Sequence, residues 1–333
     1  MKTKAANIET LRGIAILLVV MGHIIGSTPT GGMQIDFPSL WRFLYLWIDY
    51  IQMPLFTAIA GWVYALKPTG KKHFINFTLK KVYRLLIPMI TIGTIYFFIQ
   101  YIIPGTNNKG DLNDIWRIYL FPYTIYWYLP SLFIMFIMVS IIDINHWASK
   151  FPNWIYCIII IYILMFIQQH FIPDAFPNIF SFKGALLLFP YFIIGVGVQR
   201  FSVQLFSSKH TYIFFLFASI GIILRLLEWF YPLQEYLLYQ SLQPLWIISL
   251  LILLLHQKWS NPYLVWIGAF AYSIYLLHGF GTSGGRIILS YIGIQNHSCV
   301  FIFSTTLALL GPILADQILS KWEVTRFIFL GKN

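Results

Sequence analysis

Arg12-Gly-Ile-Ala-Ile-Leu-Leu-Val-Val-Met-Gly-His23 is a hydrocarbon run with a guanidinium at one end and an imidazole at the other. Ionisable groups inside a membrane span are costly, so a span that keeps two of them points to function. Eleven residues at ~100° each return to within about 20° of the same helix face, ~16 Å farther along the axis. Arg12 and His23 therefore share a stripe, one near a membrane surface and the other deep. Glu9, three residues before Arg12, lies on the same side and is placed to neutralise and orient it. On this stretch alone, a signal-anchor helix with a snorkelling Arg and a packed His explains the pattern equally well.

The rest of the chain has the same character. Of its 333 residues, 59% are hydrophobic and 10% charged, whereas a soluble domain is about a quarter charged. So little polar surface cannot coat a globule in water, and a β-barrel would show short alternating segments instead of long apolar runs. The fold class is therefore all-α, a polytopic transmembrane helix bundle with membrane lipids around it. The net charge of +11 is explained by topogenic Lys and Arg on cytoplasmic loops, with no nucleic-acid partner required. Lys2 and Lys4 precede the first apolar run as in a signal peptide, but no small-x-small cleavage site follows, so the run is expected to stay as the first span. Cys157 and Cys299 read as small packing residues, and the eight histidines show no metal-ligand clustering, so no metal is expected.

Ten segments are long and apolar enough to span, at roughly 8–27, 40–66, 82–103, 125–143, 154–172, 182–200, 211–230, 235–256, 262–280 and 294–320. They form a single integral-membrane domain over 1–333. Pro54 and Pro88 fall inside spans and mark kinks. With the N-terminus in the cytoplasm, fifteen of the 22 basic residues lie on that side, five outside and two within spans. This positive-inside bias puts both termini in the cytoplasm.

The loop after the second span is the most basic part of the chain, with Lys67, Lys71, Lys72, His73, Lys80, Lys81 and Arg84. Lys81 and Arg84 are three apart, share a helix face and enter the span, where they could grip phosphates together. The rest of the cluster reads as a topology signal. Trp127 and Tyr128 are either interface anchors or a sugar platform. Arg225 and Glu228, three apart in the seventh span, are expected to neutralise one another. Asp49 is a possible partner for an Arg or His.

These stretches together resemble the acyltransferase-3 family of integral-membrane acyltransferases, which includes bacterial O-acetylases of surface polysaccharides. Glu9-Thr-Leu-Arg12-Gly13 followed by His23 matches the family's acidic-x-x-Arg-Gly opening and its Arg-(ten residues)-His signature. Met53-Pro54-Leu55-Phe56 with Gly61 resembles its Pro-Leu-Phe-Phe segment, and Lys80-Lys81-Val-Tyr-Arg84 with Pro88 its Arg-x-x-Arg motif. Tyr126-Trp127-Tyr128-Leu129 is similar to its Trp-(Phe/Tyr)-Leu element, and Tyr272-Ser273-Ile-Tyr275-Leu-Leu-His278 to its late Tyr-Ser-x-Tyr-Leu-x-His element. Thr57, Ala60 and Lys81 depart from the pattern. At position 81, Lys keeps the charge but loses the bidentate fork.

The resemblance implies transfer of an acyl group, usually acetyl from acetyl-CoA as co-substrate, to a hydroxyl of a glycan or lipid-linked sugar at the inner membrane of a bacterium. It makes His23 the catalytic candidate, as general base (the preferred role) or as a transiently acylated residue. Arg12 would hold donor phosphate or stabilise an oxyanion, and Glu9 would orient Arg12. Lys80, Lys81 and Arg84 would hold acyl-CoA, while Trp127, Tyr128 and His278 would contact the acceptor. The rival expectation is a glycan exporter or flippase without acyl chemistry. Against it stand only eleven acidic residues, mostly at span ends, too few for ion coupling.

Overall fold

The computed structural model describes residues 6–107, 109, 111–206 and 208–332, and the side chains of all of these except 208–210. Lys2, Lys4 and the side chain of Lys209, all counted in the charge bias, lie outside this set. Among the described residues the regular structure is entirely helical: α1 Ala6–Ile25, α2 Leu40–Leu66, α3 Phe74–Lys81, α4 Ile87–Ile102, α5 Arg117–Leu120, α6 Tyr128–Ile144, α7 Phe151–Phe171, α8 Phe182–Arg200, α9 Ser202–Leu205, α10 Ser208–Leu227, α11 Leu237–His256, α12 Pro262–Ala269, α13 Ala271–Tyr291, α14 His297–Leu319 and α15 Glu323–Leu330.

Eight helices or continuous helical stretches are long and apolar enough to cross a membrane, and the bent pair α12–α13 makes a ninth. The expected seventh span falls on α10, whose part with described side chains, Thr211–Leu227, is apolar. The expected ninth span, 262–280, needs correcting. Its helix breaks at Phe270 with a bend of 79° and then continues to Tyr291. The polar, glycine-rich stretch around Gly279–Arg286 reads as a span end, but it stays helical because small residues let α13 lie close against α14 at Ala308 and Ser304. His278 therefore sits in mid-helix, not at a helix end.

Helix α1 is the centre of the bundle. It packs on α2, α12, α13 and α14, and Ala15, Ile16, Val19 and Val20 are fully buried. Its approach to α12 depends on glycine. A Cβ on Gly13 would sit 2.2 Å from the Leu264 carbonyl oxygen, and one on Gly268 2.2 Å from that of Glu9. Elsewhere α2 lies along α8, α8 meets α6, α7 and α11, and α10 rests on α11.

The two ends of the described chain meet at one end of the bundle, here termed the basic end. Asn7 near the start of α1 donates to the Gln257 carbonyl at 2.9 Å, and the Leu330 carbonyl of α15 accepts from Arg84 at 2.8 Å. The Arg200–Asp143 pair, at 2.7 Å for each nitrogen, joins the ends of α8 and α6, and the Tyr64 hydroxyl adds α2 at 2.8 Å. Arg225 and Glu228 pair at 2.5 Å as expected, and Asp49 lies 3.9 Å from Arg225.

Candidate active site

At the basic end, α3 and α4 are joined by a π-helical turn, Val82–Leu86. Such turns are rare and concentrate at functional sites. Pro88 has no N–H to offer the Arg84 carbonyl four residues back, and the Tyr272 hydroxyl donates to that carbonyl instead. The Arg84 guanidinium lies 3.9 Å over the Tyr272 ring. The third and fifth sequence motifs are thus two halves of one joint.

A cavity of about 680 Å3 opens beside this joint, lined by Lys67, His73, Lys80, Lys81, Arg84 and Gly331 among others. That volume is in the range of small-molecule sites. Lys80 is exposed. The Lys81 ammonium sits 3.5 Å over the Phe136 ring and has no carboxylate partner among the described residues. Arg12 is near enough to Arg84 for their charges to interact. Its Nη1 contacts both oxygens of Glu9, at 2.7 and 2.9 Å, as expected for a carboxylate that orients it. No hydrogen bond occupies its Nη2 or Nε among the described residues.

At the opposite end of α1 lies a second cavity of about 310 Å3, lined by His23, Thr28, Gln100, Thr124, Thr282 and Arg286 among others. Its floor is the loop after α1. Gly26 and Gly32 take positive φ there (85° and 51°), and a Cβ on either would meet backbone within 2.5 Å. Buried Arg42 holds the loop by donating to the carbonyls of Gly26, Thr28 and Ile35 at 2.6–2.7 Å. His23 is exposed to this cavity. The His278 ring lies behind it, with centroids 5.1 Å apart, and is fully buried. Its Nδ1 lies 2.8 Å from the Tyr275 carbonyl and 3.1 Å from that of Ile274. Carbonyls only accept, so Nδ1 carries the proton and Nε2 is left without a partner.

The structure brings Glu9, Arg12, Lys80, Lys81 and Arg84 to one end of α1 and His23 with His278 toward the other. It separates Trp127 and Tyr128 from both cavities. Tyr128 is fully buried, its hydroxyl accepts from Thr57 at 3.2 Å, and its ring packs on Phe56 and Tyr275. Trp127 lines only a crevice of about 10 Å3. Their stretch is a seat for α13. The Tyr126 hydroxyl donates to the Leu276 carbonyl at 3.2 Å and the Tyr275 hydroxyl to that of Ile125, so this stretch anchors α13 within a turn of His278. Ser273 is likewise pinned to Asp316 of α14. Among the described residues no group of three His, Cys, Asp or Glu converges to hold a metal, and Cys157 and Cys299 are free. Sequence reasoning missed Gln100 and counted Arg42 and Arg286 only among the five basic residues outside. None of them belongs to a motif, and only the fold shows what they face.

A family model described as an acyltransferase domain matches residues 5–316, nearly the whole chain. The chain belongs to the acyltransferase-3 family. It is therefore a multi-pass membrane acyltransferase. The match runs from the start of α1 to Asp316, so it takes in all five sequence motifs and every residue lining the far cavity, while Gly331 of the basic cavity lies beyond it. No curated protein and no solved structure gives a significant match.

Proposed function

We propose that this acyltransferase moves an acyl group, most simply acetyl, from acyl-CoA gripped at the basic end to a hydroxyl of an envelope glycan or lipid-linked sugar held in the far cavity. The observation that carries the reading is the placement of His23. It is an imidazole exposed to a polar cavity, on the same helix as Arg12 and at the end opposite the basic cavity. The setting this implies is the inner membrane of a bacterium, with the basic end in the cytoplasm.

His23 acts as general base. It takes the proton of the acceptor hydroxyl as that oxygen attacks the thioester carbonyl carbon. The carbon–sulfur bond then breaks, and the departing CoA sulfur takes the proton back from the imidazolium. His278 supports the His23 ring from behind with a fixed tautomer. Lys80, Lys81, Arg84 and the free nitrogens of Arg12 hold the donor's phosphates. An oxyanion role for Arg12 does not fit, because ~16 Å of helix separates it from His23. The same rise fits an extended donor, with its phosphates at the basic end and its thioester reaching inward.

Membranes carrying the chain, incubated with labelled acetyl-CoA and envelope glycan, are expected to transfer label, and His23→Ala to abolish the transfer at an unchanged protein level. Full transfer by that variant removes His23 from the chemistry. A deletion that stops glycan export but leaves the O-acetyl content of the remaining glycan unchanged supports an exporter instead.

A further inference from the structure

We infer that the far cavity is built for an anionic acceptor, with Arg286 as the residue that recognises the anion, a carboxylate or a phosphate borne by the sugar. The inference rests on the acceptor assignment above and deepens it.

Arg286 is the one cation among the residues lining this cavity, and none of them is acidic. It forms no ion pair among the described residues. Its only hydrogen bond there runs from Nη2 to the Gly105 carbonyl at 2.7 Å. That bond fixes the guanidinium plane and leaves Nη1 and Nε to donate elsewhere. A guanidinium held in this way on the wall of a protein cavity is suited to planar, paired hydrogen bonding with a carboxylate or phosphate. Arginine inside a spanning bundle that lacks a counter-charge is costly, and an anionic ligand would supply the missing charge.

The rest of the lining carries hydrogen-bonding groups but no acid. Thr124 lines the cavity with a left-handed backbone (φ 40°). The other lining side chains, among them Ser27, Thr28, Thr282 and Gln100, offer further hydroxyl and amide groups of the kind that bind sugar hydroxyls.

The spacing says where on the acceptor the anion lies. Arg286 is eight residues beyond His278 on α13, ~12 Å along the axis, and His278 touches His23. The anionic group is therefore remote from the hydroxyl that is acylated. It contributes binding and orientation, not chemistry, so Arg286 is a specificity residue and should act on the acceptor's KM.

The test uses the full chain in proteoliposomes at saturating acetyl-CoA. Three acceptor probes are compared: a uronic-acid-containing oligosaccharide, the same oligosaccharide with its carboxyls reduced to alcohols, and the reduced oligosaccharide carried on a polyprenyl phosphate. The wild type is expected to favour at least one anionic probe over the neutral one by about tenfold or more in kcat/KM, the size expected for a charge-assisted contact. The uronate and phosphate arms tell which anion is read. Arg286→Gln should erase the preference through the acceptor KM while leaving the donor KM unchanged. Arg286→Lys should keep part of it. Turnover of the neutral probe shows in the same assay that the variant is folded. An anionic-to-neutral ratio that survives Arg286→Gln, or a wild type without preference, overturns this inference and leaves the acyl-transfer reading standing. A wild type that acylates none of the probes overturns both.

Discussion

The two ends of α1 are built from different materials. The basic end collects Lys80, Lys81 and Arg84 around a cavity of about 680 Å3, with Arg12 close enough to Arg84 for their charges to interact. The far end surrounds His23 with hydroxyls, amides and loop backbone in a cavity less than half that size, about 310 Å3. One end offers a cluster of positive charge, the other hydrogen-bonding groups with the single guanidinium of Arg286. Charge tolerates exchange among its members, whereas a hydrogen-bonded pocket around a single base does not. Substitutions at the two ends should therefore differ in kind as well as size.

The largest effect belongs to the far end. His23→Ala should lower kcat by about 10²–10⁴, the usual contribution of a positioned base. Thermal stability should hardly change, because His23 faces a cavity instead of packed core. A comparable loss of folded protein would mean that the imidazole is a packing element. Next comes the helix that carries both ends. Gly13→Val should destabilise the bundle by about 1–3 kcal/mol or more, since its Cβ would collide with the Leu264 carbonyl. Detergent melting curves read this directly, and an unchanged midpoint would contradict the close α1–α12 crossing.

At the basic end, Lys81→Gln should raise the acyl-CoA KM by about tenfold with kcat kept. Added salt should raise the wild-type donor KM in the same direction. If salt instead acts only on the acceptor KM, the two cavities have been assigned the wrong way round. Tyr272→Phe removes one hydroxyl from the Arg84 carbonyl and should cost about 1 kcal/mol of stability. The smallest expected effect is at Trp127. Because it lines neither cavity, Trp127→Phe should leave the acceptor KM unchanged, and a marked rise would restore it as a sugar platform.

The same contrast governs what could be read from the sequence. Most span positions follow from hydrocarbon run length, and α2 runs from 40 to 66 as expected, although eight or nine segments, not ten, meet the length and apolarity a span needs among the described residues. The basic cluster was legible because charges at the mouth of a span are conspicuous. The Arg12–His23 stripe was legible because helical periodicity is a one-dimensional property. The far cavity was not, because Gln100, Thr124 and Arg286 come from three separate segments and meet only in the fold. Tyr128 was misplaced for a related reason: an aromatic at a span end looks the same whether it faces sugar, lipid or the buried ring of Tyr275. The 79° bend at Phe270 was hidden too, since an apolar run carries no mark of where its neighbours force it to turn.

The central claim is that donor and acceptor reach His23 from opposite ends of α1. Sealed membrane vesicles of the two orientations test it most directly, with labelled acetyl-CoA supplied on one face only and acceptor glycan on the other. Transfer is expected only when acetyl-CoA is on the face of the basic cavity and glycan on the opposite face, and it should vanish with His23→Ala. Transfer that requires both substrates on the same face would contradict the account.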